Sequence, residues 1–323
     1  MPWRESAAEI ERARAERPFA VASPLGLLFG IYTPPAPDAV PSGLCAVLFT
    51  RPRSHRNRMW VEGARRLATR GFACFRFDYH GTGDSEGDSG WLDPNRPYRG
   101  DAVTVIRFLR TQFGHDRFVL CGACFDARTA LSAFVDEADA IAGLMFMAAP
   151  VVELETLVRV DADRKGWMHL WRALRNPENW KTLGRPERWG YMGTVVTRVA
   201  RRSLGSEPGA DTPLAASFLE HFQALLRSRA RALFLYGRDD AEYESFRIAE
   251  RTVFARLTPE QRGRLEVEVW DGTVHGFLEM TRQRETFERA VSWIESLHPQ
   301  RAQVAARTPA SRRGPTEAAW TSA

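Results

Sequence analysis

Residues 118–131 read FVLCGACFDARTAL, and their residue types could do chemistry. An apolar run ends, small residues make a tight turn, and a helical pattern begins. Gly122-Ala123-Cys124-Phe125-Asp126 fits the pattern Gly-x-nucleophile-x-Gly, with cysteine as nucleophile and Asp126 at the last glycine position. Such a turn lifts a nucleophile above the end of a sheet, and Gly122 relieves crowding beside it. The N-terminus of the following helix favours a thiolate at Cys124 through its unpaired N–H groups and its dipole. The N–H of Phe125 then faces a developing oxyanion. Two other readings of these residues stay open. Cys121-Gly122-Ala123-Cys124 is also a C-x-x-C between strand and helix, as in thiol redox proteins. Alternatively, both cysteines are inert packing residues.

The elements that would position this turn are legible as alternating periods. Strand-like runs cover Phe19–Val21, Leu27–Tyr32, Ala46–Phe49, Phe72–Phe77, Phe118–Cys121, Ile141–Ala148, Ala232–Tyr236 and Leu265–Trp270. Helical spacing covers Trp60–Arg70, Ala102–Leu109, Ala127–Val135 and Phe287–Leu297, and residues 1–18 read as a short polar helix. This alternation predicts an α/β fold with a mostly parallel central sheet flanked by helices. Residues 151–230 hold no clear strand and carry four of the ten tryptophans, Trp167, Trp171, Trp180 and Trp189. They read as a helical cap inserted before the late strands, or as a decoration that only adds stability. The core is then 1–150 with 231–297, and 298–323, rich in Ala, Arg, Pro, Ser and Thr, is a disordered tail.

Residues 71–87, GFACFRFDYHGTGDSEG, resemble the loop after strand four of α/β-hydrolases, where D-x-x-G-x-G-x-S recurs. Ser54-His55-Arg56 and the helix end Leu67-Ala68-Thr69-Arg70-Gly71-Phe72 resemble the serine-aminopeptidase-like branch of that superfamily. The resemblance covers roughly 19–150 and 231–297. Asp78, Gly81, Gly83, Asp84 and Ser85 read as a tight loop beside the site without a catalytic role. The superfamily's chain order of nucleophile, acid and histidine implies an acid after the strand ending at Tyr236. There Gly237-Arg238-Asp239-Asp240 resembles G-x-x-D and favours Asp240 over Asp239. It implies a base after the last strand, where His275 precedes Gly276. The implied triad is Cys124, Asp240 and His275, and a redox C-x-x-C would need neither of the last two. The implied oxyanion donors are the N–H of Phe125 and one from the loop Thr50-Arg51-Pro52-Arg53. Pro52 has no N–H, so Arg51 or Arg53 must serve, and Arg51 is preferred. Two departures from the family pattern stand out: that loop lacks the usual glycines, and Asp126 replaces the second elbow glycine.

A cysteine nucleophile makes the intermediate a thioester. The expected activity is acyl transfer or hydrolysis of an ester or thioester through S-acyl-Cys124. The superfamily's cysteine-bearing members include dienelactone-hydrolase-like enzymes and transferases that serve carrier proteins. A small acyl substrate is therefore expected, with an acyl or peptidyl carrier protein as a partner the resemblance admits. A non-catalytic binding member of the fold is the alternative. The chain carries a net charge of +5, but only Lys165 and Lys181 of its 45 basic residues are lysine. That arginine bias is a weak sign of nucleic-acid binding, and none is expected. Residues 151–230 hold 13 Lys plus Arg against 9 Asp plus Glu, a basic surface suited to an acidic carrier. There is no apolar run of about 18 residues and no secretory pattern at the N-terminus, so no membrane partner and a cytoplasmic location are expected. Metal-ligand spacing and a phosphate-binding glycine loop are both missing, so no metal and no cofactor are expected.

Overall fold

A computed structural model describes residues 15–88, 95–158, 161, 213–275 and 280–297. The expected cap falls largely on 159–160 and 162–212, outside the described residues, as do its four tryptophans. The tail 298–323 and most of the N-terminal polar segment also lie outside them.

All eight strand-like runs are strands. They are β1 (Arg17–Ser23), β2 (Gly26–Thr33), β3 (Leu44–Phe49), β4 (Ala73–Phe77), β5 (Arg117–Ala123), β6 (Ile141–Met147), β7 (Arg231–Gly237) and β8 (Leu265–Trp270). They form one sheet in the order β1-β2-β4-β3-β5-β6-β7-β8. β1 and β2 are antiparallel to each other, and β2 is antiparallel to β4. From β4 to β8 every pairing is parallel. The fold class is therefore the expected α/β-hydrolase fold.

The helices are α1 (Met59–Thr69), α2 (Arg99–Phe113), α3 (Asp126–Glu137), α4 (Ala216–Arg227), α5 (Ala241–Thr252), α6 (Pro259–Arg262) and α7 (Met280–Ser296). No helix among the described residues is long and apolar enough to cross a membrane. Every residue of β3 and β4 is buried, the condition of parallel strands covered on both faces. Alternation within each strand sorts the core into two layers. Val47, Phe49, Phe118 and Leu120 face α2, α3, α4 and α5. Leu44, Ala46, Val119 and Cys121 face α1 and α7.

The strand order reverses beside β3: β4 lies on one side and β5 on the other. A crevice opens outside the carboxyl ends of strands at such a switch point. Cys124 follows β5 at that place. Two features let the chain turn tightly there. Gly122 lies so close to α3 that an added Cβ would sit 2.5 Å from Ala127 Cα. The Cys124 N–H donates to the Met147 carbonyl at 2.8 Å, tying the turn to the end of β6. Gly122→Ala should therefore push α3 off the sheet and lower unfolding stability by about 1–3 kcal/mol, the usual cost of overpacking. Chemical denaturation of the variant checks this; an unchanged midpoint would mean the helix yields without cost.

Candidate active site

Cys124 occupies the left-handed region, with φ 53°. That conformation is costly for a residue with a Cβ and persists only where the surroundings enforce it. Here the enforcement comes from the β6 hydrogen bond on one side and the start of α3 at Asp126 on the other. The turn leaves the Cys124 side chain partly exposed, while Cys45, Cys74 and Cys121 are buried. Cys121 points into the layer packed by α1 and α7, away from the face on which Cys124 packs. The C-x-x-C spacing thus sends its two thiols to opposite faces of the sheet.

The Phe125 N–H lies against the Cys124 sulfur, as the elbow pattern requires of an oxyanion donor. The surroundings of the sulfur oppose the expected thiolate. Burial pushes the Cys124 thiol up to about 12, and the Glu242 carboxylate adds to the rise; the Phe125 N–H and Arg51 only oppose it. The helix terminus is too weak a charge to offset desolvation of an anion here.

His275 is brought to the site by the loop after β8. That loop packs tightly on the end of β7: a Cβ on Gly237 would meet the Val274 nitrogen at 2.5 Å. Asp240 holds the loop in place. Its carboxylate accepts from the N–H groups of Gly237 at 2.7 Å, Val274 at 3.0 Å and His275 at 3.0 Å. Asp240 is buried and Asp239 exposed, so the structure separates the two acids that the sequence leaves adjacent. Burial raises the Asp240 carboxyl, and the three N–H groups and His275 pull it back.

The imidazole itself faces another acid. His275 Nδ1 lies 3.3 Å from Glu242 Oε1, in a pair whose glutamate side chain is 3% exposed and whose histidine is 46% exposed. A ring nitrogen of His275, the Cys124 sulfur and a Glu242 carboxylate oxygen all lie within 4.8 Å of one another. Asp240 therefore sits under the backbone of His275 and Glu242 against its ring. Sequence reading missed Glu242 because it assigned no element to the stretch after Asp240. AEYESFRIAERT forms α5 instead, with Phe246, Ile248 and Ala249 buried and Glu242 in its first turn.

The loop after β3 is held from two sides. The Arg53 N–H donates to Asp78 Oδ1 at 2.7 Å, and the Arg53 side chain pairs with Asp78 and Asp84. Asp78 is fully buried, and its carbonyl accepts from the Ser85 hydroxyl at 2.7 Å. A Cβ on Gly83 would collide with the Asp78 carboxylate at 2.2 Å. The D-x-x-G-x-G-x-S segment is thus a brace for the neighbouring loop, consistent with its reading as non-catalytic. With the Arg53 N–H engaged, the Arg51 N–H is the loop's candidate oxyanion donor. On the other side, Arg51 Nε lies 3.0 Å from Asp126 Oδ1, and its guanidinium sits 5.6 Å from the centre of the Tyr98 ring. Burial raises Asp126 to about 6 even with Arg51 and Tyr79 opposing it. Further along the loop, His55, Asn57 and Arg58 have φ of 57°, 51° and 57°. Three non-glycine residues in left-handed geometry mark a strained segment of the kind functional sites hold. Burial, with Arg56 and His275 adding, pushes the His55 imidazole down to about 4, so it stays neutral beside the site.

The family model for serine aminopeptidase, S33 matches residues 47–188. Among solved structures, an esterase from Pyrococcus furiosus is 13% identical over 91% of this chain and 96% of its own, with a TM-score of 0.56. A proline iminopeptidase from Mycobacterium smegmatis is 16% identical over 90% of this chain and 100% of its own, with a TM-score of 0.54. An alpha-beta serine hydrolase homologue from Coxiella burnetii is 16% identical over 86% and 97%, with a TM-score of 0.51. No curated protein sequence matches the chain. The sheet order and these structures give the chain an α/β-hydrolase fold, and residues 47–188 are similar to the serine aminopeptidase, S33 family.

The protonated resting thiol has a measurable consequence. Alkylation of Cys124 by iodoacetamide should rise about tenfold per pH unit from neutral pH upward and not level off before pH about 10, because only the thiolate reacts. A plateau near neutrality, followed by mass spectrometry of the Cys124 peptide, would instead indicate a preformed thiolate–imidazolium pair.

Proposed function

We propose that the chain transfers or hydrolyses the acyl group of an ester or thioester through an S-acyl-Cys124 intermediate. The observation that carries this reading is the Cys124–His275–Glu242 arrangement at the left-handed turn, with the Phe125 N–H on the sulfur. With Nδ1 facing Glu242, His275 has Nε2 left for the thiol proton. Because the thiol rests protonated, the imidazole removes that proton as the sulfur attacks the carbonyl carbon, which is general-base catalysis. Glu242 stabilises the imidazolium, and Asp240 fixes the backbone that carries the ring. The carbonyl oxygen becomes an oxyanion between the N–H groups of Phe125 and Arg51. Collapse breaks the bond to the leaving alcohol or thiol, which takes the proton from His275. Water or an acceptor thiol then repeats the steps in reverse and frees Cys124.

Cysteine suits handing an acyl group from one thiol to another, because one thioester replaces another with little change in free energy. This supports a carrier-protein thioester as substrate beside simple esters. Sulfur also suits hydrolysis, so intact mass on exposure to a short-chain chromogenic ester and to an acyl-carrier thioester decides between them. An acyl-Cys124 adduct that persists in water and moves to an added thiol identifies a transferase; one that water discharges quickly identifies a hydrolase. Failure to load from any of a panel of acyl thioesters would overturn the covalent reading and favour a non-catalytic binding role. Cys124→Ala should show no adduct. The two acids separate by kinetics. Glu242→Gln should lower kcat by about 100-fold with little change in KM or in melting temperature. Asp240→Asn should lower both activity and stability, because an amide NH2 then faces the three N–H groups.

A further inference from the structure

We infer that Cys124, Glu242 and His275 form a binding site for a single borderline-soft divalent cation of the Zn2+ class, which blocks the nucleophile reversibly. That such an ion blocks turnover rests on the acyl-transfer reading above; that it binds does not.

The three donors come from three separate elements and converge. The thiol is presented by the turn after β5, the carboxylate by the first turn of α5, and the imidazole by the loop after β8. Their ligating atoms lie within 4.8 Å of one another. Sulfur, imidazole nitrogen and carboxylate oxygen are the donors that zinc accepts, and three of them leave the open fourth position usual for an accessible zinc. Donor atoms about 2.0–2.3 Å from a tetrahedral zinc stand about 3.4 Å apart. The glutamate–histidine pair, at 3.3 Å, already has that spacing, and the widest separation must contract by at most about 1.4 Å to reach it. The half-exposed His275 ring can supply the movement, since Glu242 is held in the core by α5.

A second observation is independent of the spacing. Glu242 Oε2 is buried and has no hydrogen-bond partner among the described residues. An ionised carboxylate oxygen left in that state is expensive, and a cation is one of the few groups that would satisfy it. Charge balance also favours a dication: a thiolate and a carboxylate together carry two negative charges, and the histidine binds as the neutral ring. The proximity of Glu242, which disfavours the free thiolate, becomes an advantage once a dication lies between them. On binding, the thiol proton leaves to solvent, a sulfur–metal bond forms, and the metal gives up coordinated water. The lone pair needed for attack on an acyl carbon is then committed.

Co2+ is the spectroscopic probe and Zn2+ the competitor, both added to the reduced full chain. One equivalent of Co2+ should produce a thiolate-to-cobalt charge-transfer band in the near ultraviolet, and Zn2+ should abolish the band by displacement. The band should be missing in Cys124→Ser, and Glu242→Gln and His275→Ala should each weaken Co2+ binding by about 100-fold. If a variant does not fold, the parent chain still decides. Saturating Zn2+ should slow iodoacetamide labelling of Cys124 by about tenfold or more at one fixed pH, and EDTA should restore it. Absence of both the band and the protection would overturn the inference, as would a band that Glu242→Gln and His275→Ala leave unchanged. Acyl loading without a cobalt band would sink the metal site and leave the catalytic reading standing. A cobalt band without acyl loading would do the reverse.

Discussion

The structure depends on one local constraint, the left-handed turn at Cys124. A strand must end and a helix begin within a few residues, and the residue between them must accept positive φ although it has a Cβ. The cost is borne because β5 lies between two parallel neighbours and α3 packs across it with only the missing Cβ of Gly122 for clearance. The reward is position. The sulfur stands at the switch point of the sheet, against the Phe125 N–H and within reach of groups that follow β7 and β8. Move α3 outward and the sulfur, the Phe125 N–H and the Asp126 carboxylate all move with it.

The two departures from the family pattern explain each other. The loop after β3 has arginine where small flexible residues are usual, and the elbow has aspartate where a second glycine is usual. In the fold these residues meet, Arg51 on Asp126. A loop without glycine has little freedom to settle against the elbow, and an ion pair with the first residue of α3 supplies the tether instead. Arg53 does the same on the other side through buried Asp78. Because Arg51 and Asp126 are both largely withdrawn from solvent, the pair is screened less than a surface ion pair would be.

Much of the fold was legible because a doubly covered sheet writes itself in apolar runs. All eight strands were marked by short stretches such as Ala46–Phe49 or Ala232–Tyr236, and burial on both faces is what makes such stretches continuous. The helix α5 was not legible in the same way. Its buried apolar side chains, Phe246, Ile248 and Ala249, are few and stand among acids, so no apolar stripe marks it. Without that helix in view, Glu242 had no visible place at the site. The helix terminus that favours a thiolate at Cys124 is visible in the sequence, while the burial that opposes it is not.

By itself the sequence determined the order of the eight strands, the place of Cys124 at a strand-to-helix turn, and the acid and histidine, Asp240 and His275, that the fold brings near it. These follow from local rules: periodicity, turn chemistry and spacing act over a few residues. The tertiary structure alone decided which acid meets the imidazole ring, which acid holds its backbone, and which arginine N–H is tied to Asp78. Those outcomes depend on residues tens of positions apart, such as Glu242 and His275 or Arg53 and Asp78, and on how much water the packing excludes, and neither is encoded in any single stretch of chain.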